Sequence, residues 1–278
     1  MTSVTIYEPL LQMDHSQREQ YMQEHGEEVL TGLLQHIGYA NEEHHDKIVY
    51  RLFGELLTGQ FWSNEQLVKT ALLLPTNDYL FKNITNGDPE SVFTRSFSAL
   101  WLVYLLHYDR ELSFLTQEEA LFVMVEASRY LEQEQDVRGF VKGKGWAHSV
   151  AHGADLLATM LTHPHFPPHL VPVILQGIKA TFWKGTAFLD DEEERLAQVF
   201  EQLVTIDFPE EVCIEWVEQV FDKLAFQYST EGYSAPFFNA RTNVLRFMRT
   251  LYFTLKFSHK MPQLQGTVSI FIGKWTKL

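Results

Sequence analysis

The residues best suited to chemistry fall in one stretch, Asp136-Val-Arg-Gly-Phe-Val-Lys-Gly-Lys-Gly-Trp-Ala-His-Ser-Val-Ala-His-Gly-Ala-Asp155. His148 and His152 stand at i, i+4, the spacing at which two imidazoles on one helix face can hold a divalent metal. Asp155 is ~10 Å along a helix axis from His148, so it suits orienting His152 better than sharing an ion with both histidines. Further ligands would have to come from His163, His165 or His169 in the adjacent Pro-rich loop, or from Glu193 or Glu194. Completed in this way, the pair would serve a metal-dependent hydrolase in which His148 and His152 hold the ion that activates water. Two histidines alone are an incomplete signature, and a hydrogen-bonded structural pair or a metal-free ligand groove stay open.

Just upstream, Arg138, Lys142 and Lys144 alternate with Gly139, Gly143 and Gly145, and no acidic residue lies between Asp136 and Asp155. Glycines let backbone N–H groups approach a ligand, and a following helix N-terminus favours negative charge, so a phosphate or carboxylate fits here. The loop is not a P-loop, because Gly145 follows Lys144 where Ser or Thr is needed and no strand precedes it. A tight connection whose glycines solve a backbone problem is the alternative. Arg138, Lys144, Trp146, His148, His152 and Asp155 are thus the candidate ligand-binding residues, for a protein partner or a small anionic ligand. Elsewhere no G-x-S-x-G, H-E-x-x-H or G-x-G-x-x-G motif occurs, and Cys213 sits among Val212, Trp216, Val217 and Val220 as packing.

The elements expected to position these residues are helices. From Trp146 onward, His148, His152, Asp155 and Thr159 share one face, with Trp146, Val150, Leu157 and Leu161 opposite. Between them a stripe of Ala147, Ala151, Ala154 and Ala158 would let a neighbouring helix come close. Capping-box spacing occurs at Ser16/Glu19, Ser63/Gln66, Thr116/Glu119 and Asp190/Glu193, and Asp88 precedes a proline. With Asn41, Trp146, Pro167, Asp207 and Asn239, these starts give about ten helices in five successive pairs, spaced near the ~40 to 47 residues of HEAT and armadillo units. The expected fold is all-α, an irregular HEAT/armadillo-like αα-superhelix; a compact bundle would satisfy the same count. Loops are short, so residues 1–278 read as a single helical-repeat domain. Residues 262–278 are expected to form an irregular or short-strand tail, because Thr267 to Ile272 is flanked by Gly266 and Gly273.

Composition narrows the function classes. Twenty-two Lys and Arg against 36 Asp and Glu give a net charge of -14, which excludes nucleic-acid binding by bulk positive charge. The charge is uneven: residues 1–46 carry -8 and residues 188–222 carry -11, whereas residues 241–278 carry +7 with no acidic group. That basic segment is expected to pair with the acidic helices before it. The N-terminus lacks a signal-peptide pattern, the uncharged run from Leu156 to Ile178 is broken by four prolines, and the single cysteine suits a reducing compartment. The expectation is a cytoplasmic protein with no membrane span.

Arg138-Gly139, Lys144-Gly-Trp-Ala-His148, Ala151-His152 and Asp155-Leu-Leu157 resemble the bacterial domain-of-unknown-function family 2785. Arg95 to Leu100, Glu194 to Ala197 and Arg249 to Phe253 extend the likeness over most of the chain from the fourth helix onward. The resemblance implies an all-helical, HEAT-like protein and implies no activity or catalytic residue.

Overall fold

The computed structural model describes residues 7–39 and 45–277, and it is all-α apart from one two-stranded hairpin. The expected N-cap Asn41 lies outside the described residues. Among those described, no helix is long and apolar enough to cross a membrane. The chain forms two compact units that interleave along the sequence: one comprises residues 1–127, 138–149 and 163–165, the other 128–137, 150–162 and 166–278.

The first unit contains α1 (Glu8–Gln12), α2 (His15–Gln35), a π-helical segment (His45–Tyr50) running into α3 (Arg51–Thr58), α4 (Asn64–Leu73), α5 (Ser91–Leu112) and α6 (Gln117–Ser128). Ser63 caps α4 and Thr116 caps α6, each in a reciprocal box with Gln66 or Glu119. At α2 the cap is Asp14 with Gln17, two residues before the expected Ser16. α5 is buried on every side from Ser91 to Leu102, with Val92, Phe93, Phe97, Trp101, Leu102, Leu105 and Leu106 in the core, so it forms this unit's spine. Phe53 of α3 stacks on Trp101 at 3.6 Å, and Trp62 adds a third ring 5.2 Å from Phe53.

At the C-terminal end of α5, Asp109 is buried with His163. Its Oδ1 accepts the Leu115 N–H at 2.6 Å and its Oδ2 lies 3.0 Å from His163 Nε2, while His163 Nδ1 accepts the His165 N–H at 3.2 Å. That last bond leaves Nε2 as the protonated nitrogen, donating to Asp109.

The second unit contains α7 (Tyr130–Gln133), nearly all of α8 (Ser149–Leu161), α9 (Val171–Thr181), α10 (Glu192–Thr205), α11 (Glu210–Glu231), α12 (Ala235–Ser258) and α13 (Pro262–Thr276). The close approach expected of the alanine stripe occurs at Gly153, where a Cβ would overlap Leu131 of α7 and lie 3.1 Å from Tyr130. Phe182, Phe200, Trp216 and Phe247 form the aromatic core, and Trp216 Nε1 donates to the Leu175 carbonyl at 2.7 Å. Asn243, fully buried, accepts the Phe188 N–H at 2.7 Å and donates to the Phe182 and Thr186 carbonyls.

The tail expected to be irregular or a strand is instead helix α13. Leu264, Val268 and Trp275 recur at helical spacing and are buried, and Phe271 stacks on Phe221 of α11 at 4.5 Å. α13 packs on both α11 and α12, so burial against neighbours overrides the β-leaning composition of Val268 to Ile272. The expected pairing of basic and acidic segments is present: α10 packs on α12, with Arg246 3.7 Å from Glu193.

Candidate functional site

The glycine-rich loop is a β-hairpin. β1 (Phe140–Val141) pairs antiparallel with β2 (Gly145–Trp146), and Lys144 N–H closes the turn onto the Val141 carbonyl at 2.9 Å. Gly143 occupies the turn with φ 77° and Gly145 follows at 91°, conformations that residues with a Cβ rarely adopt. Pairing continues beyond the strands, from Ala147 N to the Gly139 carbonyl and from His148 N to the Arg138 carbonyl.

Three contacts pin this hairpin to the start of α5. Arg138 donates to the Pro89 carbonyl at 2.6 Å, Lys144 Nζ pairs with Glu90, and Ala147 with Val141 packs on Val92 and Phe93. The positive charges of Arg138 and Lys144, expected to meet a ligand, therefore serve at least partly to hold the hairpin. Lys142 stands exposed at the turn. One side carries a line of rings: Phe140 meets Trp146 edge-on at 5.1 Å, and Trp146 lies 4.1 Å from His148. Phe140 is 47% and Trp146 37% exposed, so these two rings form an aromatic ledge open to solvent, backed by the half-buried His148.

α8 begins at Ser149, three residues later than expected. His148 precedes it with a left-handed φ of 43°, a conformation uncommon for a residue with a side chain and costly by ~1 kcal/mol. His148 therefore stands just ahead of α8 and not on its first turn, whereas the i, i+4 spacing predicts both histidines on one helix. The same displacement removes Trp146 and Ala147 from the helical faces assigned to them. Arg138, Lys144, Trp146 and His148 belong to the first unit; His152 and Asp155 belong to α8 in the second.

Asp155 pairs with Arg195, not with His152 as expected. Arg195 Nη1 donates to its two carboxylate oxygens at 3.1 and 2.9 Å, and Arg195 Nε donates to Asp191 at 3.0 Å. Burial pushes the Asp155 carboxyl above its ordinary range, and the Arg195 charge opposes that rise. Glu192 and Glu193, at the start of α10, are buried and likewise raised by desolvation. His163, a possible further ligand, is committed to Asp109, whereas His165 and His169 are exposed. Cys213 is buried, its thiol pushed up to about 12, as suits a packing residue.

Sequence reasoning missed a polar pocket of about 340 Å³ in the first unit, lined by Gln35, Asn77, Tyr79, Lys82, Asn83 and Thr94 among others. Its walls come from three separated segments, so no local motif marks it.

The family described as protein of unknown function (DUF2785) matches residues 80–253. The chain belongs to the DUF2785 family. No curated protein and no solved structure matches it. The DUF2785 match spans α5 through most of α12, and so contains the hairpin, α8 and the Asp155–Arg195 pair.

Proposed function

We propose that this chain is a cytoplasmic helical-repeat protein that acts by binding, and that the hairpin from Arg138 to His148 receives a small anionic ligand or an acidic segment of a protein partner. The observation that carries this reading is the aromatic ledge of Phe140 and Trp146, backed by His148, beside exposed Lys142, on a hairpin anchored to α5. Exposed rings on a fixed support offer apolar contact at little entropic cost, and an adjacent ammonium selects for negative charge. The repeat character is supported in the second unit by α10 packing on α12 and α11 on α13, each on its second successor, with α12 also packing on α11 and α13. The buried, unreactive Cys213 fits a reducing compartment.

Calorimetric titration with phenyl phosphate and with an Asp/Glu-rich peptide tests the site. Saturable binding to at least one probe is expected, weakened at least tenfold by Lys142→Glu or Trp146→Ala. Binding to neither, or binding indifferent to both substitutions, overturns it. A thermal shift with Zn²⁺ or Mn²⁺ that is lost in both His148→Ala and His152→Ala would favour the metal-dependent hydrolase instead.

A further inference from the structure

We propose that copies of this chain associate head to tail, the outer face of α11 in one copy docking on the outer face of α12 in the next. This goes beyond the binding site on the hairpin and rests on the second unit alone. α11 buries Cys213, Trp216, Val217, Val220, Phe221 and Leu224. Diametrically opposite, Glu211, Glu215, Glu218 and Asp222 recur at i, i+4, i+7 and i+11, all exposed and within an arc of about 60°. That stripe continues to Phe226, a phenylalanine 69% exposed.

α12 repeats the design with the opposite sign. Its buried side carries Val244, Met248, Leu251 and Leu255, and its outer face carries Arg249, Phe253 and Lys256; the exposed Lys260 follows the left-handed His259 that ends the helix. Phe257, 73% exposed, stacks beside Phe253, and Lys256 Nζ lies 5.9 Å from the centre of the Phe253 ring. Among the described residues, Glu211, Glu218, Asp222, Arg249 and Lys260 form no ion pair within the chain.

The occupant follows from complementarity. A net charge of -14 repels copies in most orientations, so approach is favoured only where a positive face meets a negative one. Residues 241–278, with seven basic groups and no acidic one, supply that face. Equal spacing of the two stripes lets charge meet charge over successive turns, and exposed Phe226, Phe253 and Phe257 supply apolar contact. Two different surfaces are joined, so the assembly is heterologous: a ring if its rotation closes, an open chain if it does not.

Sedimentation velocity of the full chain tests this at ~0.1 M salt, where the Debye length is ~10 Å, and at ~1 M, where it is ~3 Å. Concentration-dependent association is expected at the lower salt and at least tenfold weaker association at the higher. Glu215→Lys with Glu218→Lys, and separately Arg249→Glu with Lys256→Glu, should each yield monomers, and mixing the two variants should restore association. Circular dichroism checks the fold, and glutamine replacements serve if charge reversal unfolds the chain. Monomers at all concentrations at ~0.1 M, association unchanged in either variant, or a mixture that stays monomeric would each overturn the proposal.

Discussion

Replacing Asp109 with Asn keeps its shape and removes one acceptor from a site with no room for adjustment. Asp109 and His163 have side chains 2% and 1% exposed, so an unmet donor there has no water to turn to. If the Asn oxygen keeps the Leu115 N–H, its amide NH₂ faces the Nε2–H of His163, donor against donor. Should His163 move its proton to Nδ1, that N–H then faces the His165 N–H. Either way one buried donor is orphaned, a loss of ~1–3 kcal/mol. Asp109→Ala, which strands both the Leu115 N–H and the His163 Nε2–H, should cost ~2–6 kcal/mol. Urea unfolding measures the loss, and hydrogen exchange at the Leu115 amide localises it: exchange should accelerate at least tenfold in Asp109→Asn. A stability change within ~0.5 kcal/mol, the range of ordinary surface substitutions, together with unchanged Leu115 protection, would refute the reasoning.

Two further outcomes follow from buried polar groups in the second unit. Asn243→Leu should cost at least ~2 kcal/mol in denaturant unfolding, because the Phe188 N–H and the Phe182 and Thr186 carbonyls all lose their partner. Glu192 is held above its ordinary value of 4.5 by burial, so the folded chain retains a proton that the unfolded chain releases. Its contribution to stability is therefore full below that value and is lost as pH rises toward the folded value. Glu192→Gln should show less loss of melting temperature than the parent as pH rises from ~4.5 to neutrality, and parallel curves would contradict this.

The helical class was readable because capping chemistry is local. Ser63 with Gln66 and Thr116 with Glu119 form the boxes their spacing announced, since each satisfies backbone donors three residues away whatever packs outside. Asp14 displaced Ser16 as the cap of α2 because Gln17 answers it in a box equally short in sequence. What was missed depends on distant partners. α13 needs the face of α11 to turn Val268 and Phe271 inward, and the start of α8 is set by the hairpin pairing of His148 with Arg138. Positive charge at 138–144 was legible, but not its partners Pro89 and Glu90, some 50 residues earlier. Asp155 shows the same limit: its Arg195 partner is 40 residues away, while His152 is merely near in sequence.

The interleaving of the two units bears on how the chain is made. Val92 and Phe93 of α5 leave the ribosome some 50 residues before Ala147 and Val141, which cover them, and Asp109 waits for His163. The first unit cannot finish until residue 165 has been synthesised, by which time part of the second has already emerged. A nascent chain halted after Ala127 therefore displays uncovered apolar surface on its longest early helix, a natural point of engagement for a chaperone. Division of the gene at that point would leave the first fragment without residues 138–149 and 163–165 of its own unit, while the second fragment would carry the whole of the other unit together with those orphaned segments.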